Sequence, residues 1–318
     1  MVFFLSLCAV QASSFAWNPV QIDSQEYISA REIADFYRFS RLSLLDADRA
    51  AFRSPTLSMQ WEAQSPVLVI NDTKFLVSAP CRKQDGQFYI SRADLVKWID
   101  PLLRPAHMAG AEAFDTVVID AGHGGLDVGT RGPFDVEKNY ALDLALRLRD
   151  ELRQRGLRTV MTRQADVRLS KHLRGELASA VPGSIFVSLH FNANPSRSVH
   201  GIETYAMTPV GQRSSNDSQP GLEARLGFHG NLRENASLAL AAAVHSQLLS
   251  RTGAVDRAVR RARFAVLKTS QRASILVEGG YLTNRAEAAR IHQPDYRATL
   301  ARAIADGILH YRRSLREK

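Results

Sequence analysis

Short apolar runs alternate with helical repeats along residues 114–314, and this alternation constrains the fold more than any other feature of the sequence. The helical repeats place apolar residues on one face, as Tyr140, Leu144 and Leu148 show at i, i+4 spacing. Strands that alternate with helices are typical of layered α/β structure. The sequence therefore predicts an α/β fold, with a mostly parallel twisted sheet covered by helices on both faces.

The same patterns predict individual elements of this region. Predicted strands cover residues 116–120, 157–162, 184–190, 202–207, 263–268 and 274–278. Predicted helices cover residues 137–155, 234–250, 285–292 and 295–313. Residues 208–232 are rich in Gly, Ser, Asn and Gln and predict a long surface loop.

Three side chains with catalytic potential lie at or just after the ends of predicted strands. His123 follows the first strand, His190 ends another, and Glu278 ends the last. The carboxyl ends of parallel strands meet at one edge of a sheet, so we expect these groups to share a site. Glu137, on the first turn of a helix, adds a carboxylate. Two imidazoles and a carboxylate suit a zinc ion with an open fourth position. Glu278 could act as a base at that open position.

Each of these residues also has a structural interpretation. His123, between glycines, could belong to an ordinary turn, and Glu137 could complement the dipole of its helix. His190 could be a hydrogen-bonded core residue. Glu278 is harder to explain in this way, because a carboxylate is costly to bury unless it is paired or coordinated.

The region before residue 105 is of a different kind. Residues 27–38 and 89–100 form a weak repeat, in which a short strand is followed by a serine and a helical pattern. Strand-like runs lie between the copies, at residues 57–61 and 67–71. We therefore predict a small α+β domain at 17–104, a linker at 105–113 and a catalytic domain at 114–318. No metal site or nucleophile is evident in the first domain, which favours a spacer or binding module.

Residues 1–16 carry no charged side chain and include an apolar run too short to span a bilayer, which needs about 20 residues. We predict a signal peptide here, and hence export to the periplasm or cell wall; a mis-assigned start and a buried strand are the alternatives. No other segment is apolar enough to cross a membrane. If residues 1–16 are removed, Cys81 is the single cysteine left and no internal disulfide can form.

The chain has a formal net charge of +9, and the excess is concentrated in residues 251–272. A basic face of this kind favours a polyanionic partner, and an anionic cell wall fits. Nucleic acid is disfavoured because no aromatic stacking pattern accompanies the cations. A solvated basic face is the alternative. The cations are Arg251, Arg257, Arg260, Arg261, Arg263, Lys268 and Arg272, against Asp256.

Several motifs occur in the order seen in one enzyme family. They are VVIDAGHGG at 117–125, EK at 137–138, TRQAD at 162–166, SLHFNA at 188–193, GIETY at 201–205, FAVLK at 264–268 and ILVEGGYLTN at 275–284. Residues 116–311 thereby resemble the zinc-dependent N-acetylmuramoyl-L-alanine amidases with an amidase 3 type catalytic domain. The chain departs from the family pattern at Ala258, where glycine is usual.

The resemblance implies a role for each candidate residue. His123, Glu137 and His190 become zinc ligands, and Glu278 becomes the catalytic carboxylate, which moves a proton from water to the leaving amine. The substrate it implies is peptidoglycan, cut between N-acetylmuramic acid and the L-alanine of the stem peptide. Residues 17–104 resemble, more weakly, the N-terminal stalk domain of some copper amine oxidases. The sequence does not reveal whether a protein activator is needed.

Two alternatives to this hypothesis remain open. One is a non-catalytic wall-binding protein on an amidase fold, although such proteins lose a ligand or the catalytic carboxylate and neither is missing here. The other is a zinc peptidase or amidohydrolase that acts on a different substrate.

Overall fold

The computed structural model describes residues 15–55, 57–108, 111–217 and 221–316. The predicted signal peptide at 1–16 falls almost entirely outside the described residues. In the described part of the chain, no helix combines the length and the apolar character that crossing a bilayer requires.

The strands number fifteen in the described residues. They are β1 Val20–Ile22, β2 Gln25–Ser29, β3 Arg41–Leu44, β4 Arg49–Arg53, β5 Ser58–Glu62, β6 Val67–Ile70, β7 Thr73–Leu76, β8 Arg82–Gln84, β9 Gln87–Ser91, β10 Thr116–Ala121, β11 Arg158–Met161, β12 Ser184–Asn192, β13 Ile202–Met207, β14 Asp256–Ala262 and β15 Ala273–Tyr281.

The α-helices are α1 Ala30–Tyr37, α2 Arg92–Asp94, α3 Asp100–Leu103, α4 Glu137–Gln154, α5 Lys171–Ser179, α6 Glu234–Thr252, α7 Ala265–Thr269, α8 Arg285–His292 and α9 Pro294–Ser314. A π-helical turn at Leu95–Ile99 joins α2 to α3. Short 3-10 turns lie at Pro105–His107, Leu222–Arg225 and His229–Arg233.

The central sheet confirms the predicted α/β class. Its catalytic half has the strand order β11-β10-β12-β15-β13-β14. Neighbours pair in parallel except β13 and β15, which are antiparallel. Helices α4, α6 and α9 cover one face, and α5 and α7 cover the other. The reversal of β13 brings its first residues, rather than its last, to the edge where β12 and β15 end.

The strand predicted at 263–268 is wrong. The preceding residues, Asp256–Ala262, form β14, and the apolar residues of the prediction lie largely in the short helix α7. Four of the seven residues of β14 are buried although the segment carries three arginines. The arginines make this segment look polar in a hydrophobicity pattern. In the fold, however, neighbouring groups form hydrogen bonds and ion pairs with them, so the strand can be buried. The sequence reasoning also missed α5, which Ser170 caps by accepting a hydrogen bond from the Leu173 N–H.

The repeat near the N-terminus is visible in the structure. Its two strands, β2 and β9, are antiparallel neighbours in a separate four-stranded sheet. Ser29 caps the first helix by accepting from the Glu32 N–H, whereas Ser91 makes no such bond before α2. The turn at Asn71 and Asp72, both with positive φ, links β6 to β7 in an antiparallel hairpin.

Strands β3 to β7 do not form an isolated module. They extend the central sheet to eleven strands, because β7 pairs in parallel with β14 through Phe75 and Val259. The hydrophobic core is likewise continuous between the two regions. The linker prediction gave no indication of this shared sheet.

The cations of residues 251–272 do not form one basic face. Arg261 is fully buried and stacks over the Trp98 ring, 4.9 Å from its centroid. The others make bonds within the chain: Arg251 pairs with Asp306, Arg257 and Arg260 with Glu203, and Lys268 with Glu223, whereas Arg263 and Arg272 donate to backbone carbonyls. These cations therefore have partners within the described chain, which does not favour their interpretation as a single surface for a polyanion.

Candidate active site

His123 lies in the turn that follows β10 and adopts a positive φ of 59°. Gly122 allows the His190 ring to pack closely against this turn, because a Cβ at residue 122 would collide with that ring. The Nδ1 atom of His123 lies 2.8 Å from the Asp127 carboxylate, which orients the ring. Sequence reasoning missed Asp127, although its position four residues after His123 is a recognisable signal.

Three buried polar residues hold this turn in place. Asp120, at the end of β10, is fully buried and accepts a hydrogen bond from Arg174 at 2.8 Å. Arg174 also donates to the His123 carbonyl at 2.6 Å, and Arg163 donates to the Gly122 carbonyl at 2.7 Å. These bonds satisfy carbonyl groups that the tight turn leaves without sheet partners.

Glu137 is the first residue of α4 and is buried. Its Oε1 lies 3.0 Å from His123 Nε2 and 2.8 Å from His190 Nδ1. Its Oε2 accepts from the Thr130 N–H at 2.9 Å. Burial alone would raise the pKa of Glu137, but the two imidazoles lower it well below its usual range. The carboxylate is therefore held in the ionised form that a metal ligand requires.

The three residues fit a metal ion. One donor atom from each lies within 4.8 Å of the others. The carboxylate oxygen is 2.8–3.0 Å from the imidazole nitrogens, and ligand atoms about 2.0–2.1 Å from a tetrahedral zinc would stand about 3.3 Å apart. The close fit extends to Gly129, where a Cβ would lie only 2.6 Å from Glu137 Oε2. The structure thus brings together all three predicted ligands in a possible metal site.

Glu278 lies on β15, directly opposite His190 on β12. Its Oε2 atom is buried and has no hydrogen-bond partner among the residues that the structure describes. Burial raises the pKa of Glu278 well above its usual range, and the carboxylates of Glu137 and Glu203 add to the effect. An unpartnered carboxylate beside a cluster of metal-ligand type is suited to accept a proton.

Glu203 on β13 is the register neighbour of Glu278 on its other side. It is buried and accepts from Asn192 and Tyr205, each at 2.8 Å. Arg257 and Arg260 pair with its other oxygen at 3.2 and 3.3 Å. Sequence reasoning gave Glu203 no role; an acidic residue within a buried strand was the available signal.

The predicted loop at 208–232 follows Met207, the last residue of β13. Because β13 runs antiparallel to β15, this loop leaves the sheet at the edge opposite Glu278. Asn216 of the loop nevertheless returns towards the site, because its Oδ1 lies 3.3 Å from the Tyr205 hydroxyl, which donates to Glu203.

The fold and the cluster together define a class: α/β proteins with a candidate catalytic metal centre at one edge of the sheet. A family model described as N-acetylmuramoyl-L-alanine amidase matches residues 117–310. The chain belongs to this family.

Individual relatives agree with this assignment. The chain is 33% identical over 199 residues to N-acetylmuramoyl-L-alanine amidase LytC of Bacillus subtilis (strain 168), a match that covers 63% of this chain and 36% of LytC. It is 27% identical over 280 residues to AmiC of Escherichia coli O6:H1, covering 78% and 67% of the two chains. The match to AmiC of Neisseria meningitidis covers 52% of that protein. The chain thus spans a third to two thirds of the length of these relatives.

Solved structures show the same fold. The catalytic domain of the amidase CwlV from Bacillus (Paenibacillus) polymyxa aligns with a TM-score of 0.52 and 32% identity, covering 62% of this chain and 98% of that one. The amidase AmiC2 of Nostoc punctiforme aligns with a TM-score of 0.52 and 33% identity, covering 63% and 98%.

Proposed function

We propose that this protein is a peptidoglycan amidase, which hydrolyses the bond between the lactyl group of N-acetylmuramic acid and the L-alanine of the stem peptide. The observation that carries the proposal is the unpartnered Glu278 carboxylate beside His123, Glu137 and His190. Membership of the amidase family supports the choice of bond.

The three donors are proposed to hold zinc. Two imidazoles and one carboxylate form a set found in hydrolytic zinc sites that keep one position open. When bound, zinc supplies Lewis-acid polarisation of the scissile carbonyl and makes water a better nucleophile near neutral pH. Asp127 keeps the His123 ring oriented by accepting from Nδ1, and the buried Glu137 remains ionised.

Glu278 is proposed as the proton carrier. Its carboxylate takes a proton from the attacking water and delivers it to the amine nitrogen as the amide bond breaks. In the described part of the chain, no hydrogen bond competes for its buried Oε2.

The remaining regions are assigned supporting roles in the same proposal. Residues 1–16 would direct export to the periplasm or cell wall, residues 105–113 would form the boundary, and residues 17–104 would act as a spacer or wall-binding module. A relative in Bacillus anthracis that is named an uncharacterized cell wall amidase supports this location.

Substitution of Glu278 tests the proposal. Glu278→Gln keeps the side-chain shape but removes the base, so release of stem peptide from purified peptidoglycan should fall by about 10²–10⁴-fold. Mass spectrometry of the products should find a free L-alanine amine with the parent protein, and zinc analysis should give equal metal content for parent and variant.

Glu176→Gln, on the exposed surface of α5, is the matched control and should digest peptidoglycan like the parent. Equal release by parent and Glu278→Gln would contradict the role of Glu278. A cut within the peptide would contradict the choice of bond, and a wall-binding protein without zinc would contradict the catalytic proposal altogether.

A further inference from the structure

A row of charged side chains crosses four adjacent strands at the active-site edge. It runs from His190 on β12 through Glu278 on β15 and Glu203 on β13 to Arg257 on β14. Neighbouring strands are about 4.8 Å apart, so the backbone of Arg257 lies about 10 Å from β15, and its guanidinium reaches back towards Tyr281 at the end of that strand. The row thus links the proposed base to a cation at the far end.

Only one of the three guanidinium nitrogens of Arg257 donates a hydrogen bond within the described chain. Its Nε donates to Glu203 Oε1 at 3.2 Å and to the Tyr281 hydroxyl at 3.1 Å, and its guanidinium lies 5.3 Å from the centroid of the Tyr281 ring. The side chain is 29% exposed. Among the described residues, no hydrogen-bond acceptor contacts its two terminal nitrogens, so their N–H groups are available to a ligand.

The charge balance leaves Arg257 free to bind an anion. Glu203 carries one negative charge, and Arg260 already supplies a positive charge 3.3 Å from its Oε1. Arg260 is in turn fixed by a bond of 2.9 Å from its Nε to the Arg257 carbonyl. Two guanidinium groups therefore share a single carboxylate, and the more exposed of them is Arg257.

The backbone that carries Arg257 is held in an irregular conformation. The pairing of β13 with β14 shifts register between Ile202 and Thr204, and Ala258 adopts a φ of 80°. The Asp256 carboxylate fixes this bulge by accepting from the Ala258 N–H and the Lys74 N–H, each at 2.7 Å. Bulges of this kind redirect side chains at the edges of sheets.

We infer that Arg257 binds a free carboxylate of the stem peptide, on the amine side of the scissile bond. This inference rests on the proposed function. In that substrate the lactyl carboxyl is part of the amide and the sugars are uncharged, so free carboxylates occur only in the peptide. Because the guanidinium reaches back towards Tyr281, its donors lie within about 10 Å of β15, which is at most about three residues of an extended chain that rises about 3.3 Å per residue. The branching carboxylate of the second residue, D-glutamate, lies within this reach.

The residue type also suits this role. The guanidinium presents a fork of N–H donors that matches a carboxylate, and stacking on Tyr281 holds its plane in place before the ligand arrives. Arg257 would thus determine specificity without touching the bond that is cleaved.

A pair of matched substrates tests the inference. One soluble muropeptide carries D-glutamate at the second position of the stem, and the other carries D-isoglutamine, in which the carboxylate is an uncharged amide. The parent should cleave the D-glutamate substrate with a kcat/KM about 10–100-fold higher, mainly through a lower KM. Arg257→Gln should lose this preference, so that the ratio of kcat/KM for the two substrates falls to about 1, and Arg257→Lys should keep part of it.

Arg260→Gln is the control, because it also removes a cation from Glu203 but should change both substrates by the same factor. Thermal unfolding of each variant verifies folding. If Arg257→Gln and Arg257→Lys slow both substrates equally, Arg257 only supports Glu203 and the inference is wrong. If the parent cleaves both substrates equally, the inference also fails while the amidase proposal stands; if it cleaves neither, the proposed function fails and the inference with it.

Discussion

Ala258 shows how one residue can carry strain beside the active site. Its φ of 80° lies in the left-handed region, which costs a non-glycine residue about 1–2 kcal/mol. The conformation persists because the Asp256 carboxylate accepts the Ala258 N–H at 2.7 Å. Asp256 is itself fixed by His245, whose Nε2 lies 3.0 Å away.

Ala258→Gly is therefore expected to stabilise the protein. Glycine adopts this conformation without steric cost, and we expect a gain of about 1 kcal/mol, or about 2 °C in Tm, in a calorimetric scan. Ala180→Gly, at a residue with a φ of −71°, is the control and should lower Tm instead. A lower Tm for Ala258→Gly would mean that the bulge does not strain Ala258.

The candidate site residues were accessible from the sequence because each stands at a recognisable place. His190 and Glu278 end apolar strands, His123 lies between glycines, and Glu137 begins a helix. The structure brings the four together. Asp127 was missed although its partner His123 lies only four residues away, whereas Glu203 was not found because its partners on β12 and β14 lie elsewhere in the fold.

At the scale of elements, the π-helical turn Leu95–Ile99 and the adjoining α2 contain a buried carboxylate. Asp94 accepts from the N–H groups of Ser78 and Ala79 at 3.0 and 2.9 Å. Burial raises the pKa of Asp94 to about 6, although these hydrogen bonds and Arg261 oppose the shift. The sequence pattern indicated a helix here but did not indicate that an acid lies on its buried side.

The raised pKa predicts how stability changes with pH. The folded chain binds this proton more tightly than the unfolded chain, in which the pKa is about 3.9, so stability should fall as pH rises from about 4 to about 6. The difference between a pKa of about 6 in the folded chain and about 3.9 in the unfolded chain corresponds to about 3 kcal/mol. Asp94→Asn cannot titrate, so its free energy of unfolding should not show this contribution. Urea unfolding of both proteins at several pH values measures it, and parallel pH curves would contradict the prediction.

At the scale of the whole molecule, Arg261 joins the two regions of the chain. It lies on β14 yet donates to the Lys97 carbonyl on the π-helical turn, and also to the Met207 carbonyl at 2.8 Å. Its ring contact with Trp98 belongs to the same junction. Burial lowers the pKa of Arg261 to about 10, so the guanidinium remains charged at neutral pH. An ion pair between Lys97 and Glu234, at 2.7 Å, also supports the junction.

Arg261→Met should therefore destabilise the whole chain and not β14 alone. The variant leaves Asp94 without its nearby cation and buried carbonyls without donors, and we expect a loss of about 3–5 kcal/mol in urea unfolding. Residues 105–115 should also become sensitive to protease, as the two regions separate. Arg31→Met, on the exposed face of α1, should change neither property. Unfolding of Arg261→Met at the same urea concentration as the parent would exclude this role.

The sequence by itself determined the α/β class, most of the strands and helices, and the four side chains of the candidate site. These follow from periodicity and from residue types at the ends of elements, which are local properties. The tertiary structure alone decided that β13 runs antiparallel to β15, that β7 joins β14, and that Arg257 lies in line with Glu278. Strand direction and register depend on hydrogen bonds between residues distant in sequence, and the cations of β14 became interpretable only once their internal partners were known.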